Sequence, residues 1–501
     1  MRNQTAFQML LGQTSVEKLI LDLKCRDDIP AILMGLKALY LDPTLRARVL
    51  KILEEGIAKN ASLAHGRPGM DLWKILVMGV LRYGAQLDFD RLHDLVNNHH
   101  NIRVMLLTGG FGGEKWKIET IKDNVTLLTP EILDQISQVA VEAGHTLVKK
   151  NGEEKPDLSG RCDSFVVKTD VHYPTDISLL LDAIRRIFKL MLRLSLFDSI
   201  PGWRQWNHRY KKVKKLVREI GRLKKLLRDS KGRPSIDPNK VLAKQKEQES
   251  KNQEILALHR DLLTFGKEIV SQAEEDLKKC RPHKNKEQAE IFVGHANRQM
   301  DQIQRRVLQG ETIPAAEKVY SVFEPHTEWI SKGKAGVPQE LGVMVSILED
   351  QHGFVLHHMI MQKQTDSDVA VQIVKEAKNR FPNLKSCSFD KGFHSPENQS
   401  SLAEILDDVY LPKKGKLSAE RLQEEMSEPF VNARNRHSAV ESGINCLEHH
   451  GLDRCLDHGM DGFKRCVSLS ILSKNLHQLG KLVLAKERKR RPAKTVELAA
   501  A

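Results

Sequence analysis

Between residues 161 and 448 the hydrophobic period changes twice, and few architectures accommodate both changes. RCDSFVVKTD (Arg161–Asp170) has the β-branched and aromatic content of a strand. From Ile177 to about Gly310 the apolar residues recur at helical spacing, with a break at SKGRPSIDPNK (Ser230–Lys240). Beyond Pro314, LGVMVSILED and GFVLHHMIM flank Gln351-His352-Gly353 as a hairpin. SDVAVQIVKEAKNRF then predicts a helix, LKSCSFD a strand ending on Asp390, SPENQSSLAEIL a helix, DVYLPKK a strand, and Asn432 to Glu448 a helix. Three strands, then helix, strand, helix, strand, helix, predict an α/β chain with a mixed sheet and flanking helices. A helical block of about 140 residues interrupts it after the first strand.

That order is the order of a ribonuclease-H-like core carrying a large helical insertion. Ahead of it, residues 1 to about 155 read as an all-α N-terminal domain. MDLWKILVMGVLRYG (Met70–Gly84) has helical periodicity, and DFDRLHDLVNN (Asp88–Asn98) opens on Asp88 as an N-cap. The pair resembles a helix-turn-helix, a pattern common in small helical domains. With 501 residues the chain has room for two to four domains with their own cores. Seven cysteines without a CxxC pair point to free thiols in a reducing, cytoplasmic compartment. No signal-peptide-like apolar run and no membrane-length span is present.

The formal charge of +14 is concentrated. From Arg204 to Arg233 thirteen Lys and Arg face only Glu219 and Asp229, a surplus of +11. KERKRRPAK (Lys486–Lys494) adds +5, leaving −2 for everything else. The first segment is an amphipathic helix with Val213, Leu216, Val217, Ile220, Leu223 and Leu227 on its apolar side. A solvated helix face ordinarily mixes acids with bases, so this excess favours a phosphate backbone as partner over an idle face or a membrane surface.

Three carboxylates occupy positions where such a core holds a metal. Asp163 lies in the first strand, Asp390 at the end of the fourth and Glu441 on the last helix. Hard divalent cations bind through a few carboxylates plus substrate phosphates, and two such ions can drive an in-line phosphoryl displacement. Strand alternation groups Asp163 with Phe165, Val167 and Thr169, so Asp170 points away, and Asp170 and Asp176 read as turn or cap residues. On the last helix Arg434, His437, Glu441 and Asn445 or Glu448 share a polar stripe. By spacing alone, 65 acidic residues offer many accidental triples.

The surrounding words resemble a known family. CDSFVVKTDVHYPTDISLLLDAIRR looks like the first-aspartate motif of DDE transposases from bacterial insertion sequences, FEPHTEWISKGKAGVPQELGVMV their central block, SFDKGFHSPEN their second-aspartate motif, and NRHSAVESGINCLEHHGLDRC their glutamate helix. Four blocks in order, over roughly Asp71 to Lys474, are similar to the transposases grouped as ISNCY. The chain departs from the pattern at Ser164-Phe165, where relatives carry small hydroxyl residues.

The resemblance implies Asp163, Asp390 and Glu441 as the catalytic triad holding two Mg²⁺ or Mn²⁺ ions, with Glu448 a substitute that the HSAVES context disfavours. It implies Lys332, Lys334, Lys391, His394, Arg434, Arg436 and His437 as DNA or phosphate contacts. Lys211, Lys212, Lys214, Lys215, Arg218, Arg222, Lys224 and Lys225 of the basic helix join them on charge. The expected organisation is a DNA-binding N-terminal domain (1–155), a catalytic domain (156–480) interrupted at 177–312, and a basic disordered tail (481–501). The expected activity is strand cleavage at terminal inverted repeats and strand transfer to target DNA, with double-stranded DNA as partner and at least a dimer for synapsis. A metal-dependent nuclease without strand transfer and a DNA-binding protein that has lost its chemistry are the alternatives. A rival zinc site is offered by Cys446, His449, His450, Cys455, His458 and Cys466, though without a CxxC or HxxxH knuckle.

Overall fold

The computed structural model describes residues 12–22, 25–58, 69–108, 113–148, 156–198, 200–229, 238–331 and 339–490. The chain divides into two compact units, Met1–Asp170 with Ile330–Ala501, and Val171–Trp329. The first unit opens with α1 (Asp28–Leu41), α2 (Pro43–Ala58), α3 (Leu72–Gly84), α4 (Phe89–Asn98), α5 (His100–Met105), α6 (Ile118–Val125) and α7 (Pro130–Val148), followed by β1 (Leu158–Thr169). Asp71 caps α3 by accepting from the Trp73 and Lys74 amides at 2.9 and 3.4 Å. Asp88 caps α4 through the Arg91 amide at 2.7 Å, as its position predicts.

The second unit contains α8 (Asp176–Asp198), α9 (Trp206–Asp229), α10 (Pro238–Lys279) and α11 (Lys284–Ile303), and it encloses the insertion expected at 177–312. It has a core of its own, in which Phe188, Trp203, Val213, Ile220, Ile269 and Met300 pack together. The Trp203 indole donates to Asp276 Oδ2 at 3.0 Å, so the buried ring keeps a polar partner.

The remaining elements are β2 (Glu328–Ser331), β3 (Gln339–Asp350), β4 (Val355–Met361), α12 (Asp366–Arg380), β5 (Leu384–Phe389), α13 (Pro396–Ile405), β6 (Asp408–Tyr410), α14 (Ala419–Glu425), α15 (Glu428–His437), α16 (Ala439–Leu447), β7 (Arg454–Cys455) and α17 (Gly459–Arg490). β3 pairs antiparallel with β4 on one side and β1 on the other. β1 pairs parallel with β5, and β5 parallel with β6. The result is a seven-stranded mixed sheet with β2-β3-β1-β5-β6 in order, β4 also pairing with β3 and β7 with β1, and with helices packed against it; β1, the strand of Asp163, is central.

Several expectations change. The boundary near residue 155 does not separate two cores: one apolar cluster runs from Ile32, Trp73 and Ile136 through Val345 and Phe389 to Leu472. α1, α3 and α7 pack on α17, so the N-terminal helices are built into the sheet unit. Every residue of α3 is buried, which makes it a core helix, and the exposed side of α4 carries Asp90 and Asp94 beside Arg91. The helix expected over Asn432–Glu448 breaks at Ser438, whose hydroxyl donates to the Asn435 carbonyl at 2.9 Å and competes with the helical ladder. The tail expected from 481 is helical to Arg490, anchored by the buried Leu484, and residues 491–501 lie outside the described residues. The strand expected over DVYLPKK is only Asp408–Tyr410. All seven cysteines are free, and no described helix is long and apolar enough to cross a membrane.

Candidate active site

The register of β1 on β5 sets Cys162 opposite Phe389. One residue further, Asp163 and Asp390 occupy neighbouring positions where β5 gives way to a turn over Lys391–Phe393. Glu441 joins them from the first turn of α16. Asp163 is half-buried, while Asp390 and Glu441 are exposed. Burial pushes the Asp163 carboxyl up from 3.8 to about 6; the Ser164 amide, 2.7 Å from Oδ1, opposes the rise, and the charges of Asp390, Asp366 and Glu441 add to it. Glu441 is thus a glutamate whose charge reaches Asp163. Glu448 is among the charges that raise the pKa of Lys168, behind Asp453.

Asp366 is a member of this cluster that pattern reading misses. It opens α12, and its Oδ1 accepts from the Ser164 hydroxyl at 2.6 Å. It also abuts the turn after Asp390, where a Cβ on Gly392 would lie 2.7 Å from its Oδ2. Nothing in TDSD distinguishes this acid from a helix-capping residue; only the approach of α12 to β1 does. Phe165, the departure from the family pattern, is buried and pairs with Val345 across β3. Asp170 and Asp176 behave as expected: Asp170 is exposed and ion-paired with Arg454, and Asp176 starts α8 and pairs with Arg306 at 2.6 Å.

Of the remaining expected contacts, His437 is the one drawn into the cluster. Its Nδ1 lies 3.0 Å from Ser388 Oγ on β5, while its buried Nε2 has no hydrogen-bond partner among the described residues. Burial lowers its pKa, with Asp390 and Glu441 opposing and the nearby Arg161 reinforcing the shift. Lys391, Arg434 and Arg436 are exposed. Arg436, Arg161, Ser388, Tyr410 and Asn432 line a cleft of about 720 Å³. His394 is half-buried, and its pKa is lowered by burial and by the positive charges of Arg421, Lys413 and Lys414, which sequence reading does not connect to it. Lys332 and Lys334 lie outside the described residues.

On α9, Lys211, Lys212, Lys215, Arg218 and Lys225 are exposed opposite the buried Val213, Ile220 and Leu223. Lys214 is half-buried, with its ammonium 5.9 Å from the Tyr210 ring centroid. Arg222 is engaged by Glu219 at 2.5 Å. Lys224 is exposed too, with its ammonium 3.3 Å from Nε2 of the buried His259, and desolvation lowers its pKa.

The donor set of Asp163, Asp366, Asp390 and Glu441 is all oxygen, the chemistry a hard divalent cation takes. The oxygens of the three expected ligands stand wider apart than 4.8 Å as a group. In the metal-free chain, Asp163 binds its proton more tightly folded than unfolded. Its contribution is therefore fully present below pH 4 and is lost as pH rises toward 6. Asp163→Asn is expected to stabilise the metal-free chain at pH 7 by about 2 kcal/mol and to flatten its stability between pH 4 and 6, as read by urea unfolding. Equal pH profiles for the two proteins would count against the shift.

No family model, curated protein or solved structure matches the chain.

Proposed function

We propose that the chain is a DDE-type DNA transposase whose sheet is a ribonuclease-H-like core. It would cleave at the ends of its element and join the freed 3′ end to target DNA by successive phosphoryl transfers. The observation that carries this reading is the meeting of Asp163, Asp390 and Glu441. They come from a central strand, its parallel neighbour and a later helix, the three motif blocks that resemble that family. The strand order, with antiparallel β4, β3 and β1 followed by parallel β5 and β6, supports the same reading.

Asp163, Asp390 and Glu441 would hold Mg²⁺ or Mn²⁺, which when bound activates the attacking oxygen and offsets charge on the leaving one. Asp366 holds the Ser164 hydroxyl and so steadies the residue next to Asp163. His437, with Nε2 buried beside Asp390 and Glu441, is placed to hold a hydrogen bond to substrate. Arg161 and Arg436 give the adjoining cleft the positive charge a DNA backbone needs. α9 supplies further, sequence-independent affinity, synapsis of two ends calls for at least a dimer, and the setting is the bacterial cytoplasm.

Joining of pre-cut double-stranded ends in Mg²⁺ tests the activity; cleavage without joining would identify a nuclease, and binding without either an inactive DNA-binding protein. For α9, the fourfold variant K211E/K215E/R218E/K225E is expected to weaken binding of any duplex equally. It should also reduce the slope of log affinity against log salt by about 3 to 4, since each phosphate contact contributes about 0.9. An unchanged slope in filter binding would remove α9 from the interface.

A further inference from the structure

Among the described residues, one group of three or more His, Cys, Asp or Glu brings its ligand atoms within 4.8 Å of one another: Cys446, His450 and His477. Of the six Cys and His residues crowded between 446 and 466, only two belong to it, and the third member comes from the middle of α17. Cys446 lies in the last turns of α16, and His450 sits four residues on, where the helix ends in a turn closed by Gly451 at φ +95°. His450 is fully buried, His477 is 5% exposed and Cys446 is half-exposed, so the group has two inner ligands and one reachable from outside.

Each imidazole turns one nitrogen toward an oxygen and the other toward its neighbour. His450 Nδ1 lies 2.7 Å from the carbonyl oxygen of Gly84, which can only accept, so Nδ1 is the protonated nitrogen and Nε2 presents a lone pair. His477 Nε2 lies 3.3 Å from Asp28 Oδ1 as an ion-pair contact, and its Nδ1 faces the lone pair of His450 Nε2. His450 Nε2 and His477 Nδ1 face each other at 3.1 Å. The two nitrogens share a hydrogen bond when His477 carries its proton on Nδ1, and with that proton on Nε2 both present lone pairs to a common cation.

Two imidazole nitrogens about 2.0–2.1 Å from a tetrahedral zinc stand roughly 3.3 Å apart, close to the separation seen. A carbonyl and a carboxylate on the far nitrogens are the usual outer partners of metal-bound histidines. One thiol and two imidazoles form a borderline-soft set that selects zinc over magnesium. We propose that Cys446, His450 and His477 bind one zinc ion, distinct from the carboxylate cluster, with a fourth position left to water. Binding releases the Cys446 thiol proton to solvent, and the ion ties the end of α16 to α17. The proposal does not depend on the chain's being a transposase.

The test uses the untagged full-length chain. Expected is one zinc per chain by elemental analysis. After removal of zinc, one Co²⁺ per chain should bind with tetrahedral visible bands and a thiolate-to-cobalt charge-transfer band, displaced by Zn²⁺ and unaffected by excess Mg²⁺. Cys446→Ser, at a half-exposed position, should keep the far-ultraviolet circular dichroism, lose the charge-transfer band and weaken Co²⁺ binding at least about 10-fold. His477→Gln should weaken it similarly, and Asp390→Asn should leave cobalt binding unchanged. A folded wild-type chain that takes up neither Zn²⁺ nor Co²⁺ overturns the proposal. So does a cobalt spectrum that survives Cys446→Ser, or one that vanishes with Asp390→Asn.

Discussion

Asp163→Asn and Asp390→Asn are each expected to lower the rate of joining pre-cut DNA ends by on the order of 10³-fold or more. Duplex affinity in Ca²⁺ or EDTA should change little. A bound divalent cation supplies several kcal/mol of transition-state stabilisation, and about 4 kcal/mol corresponds to that loss of rate. The substitution keeps shape and removes the charge that a hard cation requires. Asp163 should be the more sensitive, because it is half-buried and surrounded by Asp366, Asp390 and Glu441, whereas Asp390 is exposed. Asp366→Asn separates ligation from positioning. As a partner of Ser164 it should lose roughly 10- to 100-fold, as outer partners of metal ligands do, and as a direct ligand it should match Asp163→Asn. Joining that persists in Asp390→Asn would remove the carboxylate cluster from the chemistry.

The second large effect is on stability. Lys474 of α17 is paired with Glu349 of β3, both nearly excluded from solvent, and the ammonium also donates to the Gly353 carbonyl at 3.1 Å. Arg161 lies 3.9 Å from the same carboxylate, too far to replace the lysine fully. Lys474→Met leaves Glu349 buried with half its partners gone. It is expected to cost about 3–5 kcal/mol in urea unfolding followed by circular dichroism. The double variant Lys474→Met/Glu349→Leu should recover most of that loss, because the desolvation of both charges disappears together. A single variant as stable as the double one would show that the buried pair is not what holds α17 to the sheet.

Much of this chain is decided locally and can be read from the sequence. The cap at Asp88, the hairpin around Gln351–Gly353, the strand ending at Asp390 and the apolar seam of α9 all depend on groups a few residues apart, and periodicity and turn chemistry report them. The neighbouring placement of Asp163 and Asp390 follows once β1 and β5 are taken as parallel neighbours. Only the tertiary structure decided the rest. Asp366 reaches Ser164 across 202 residues, the N-terminal helices share one core with the sheet, Lys224 meets His259, and His477 arrives beside Cys446 and His450 from a later helix. Each of these depends on which apolar faces bury one another over long separations. A pattern of residue types does not encode that pairing segment by segment, and it is settled only when the whole core closes.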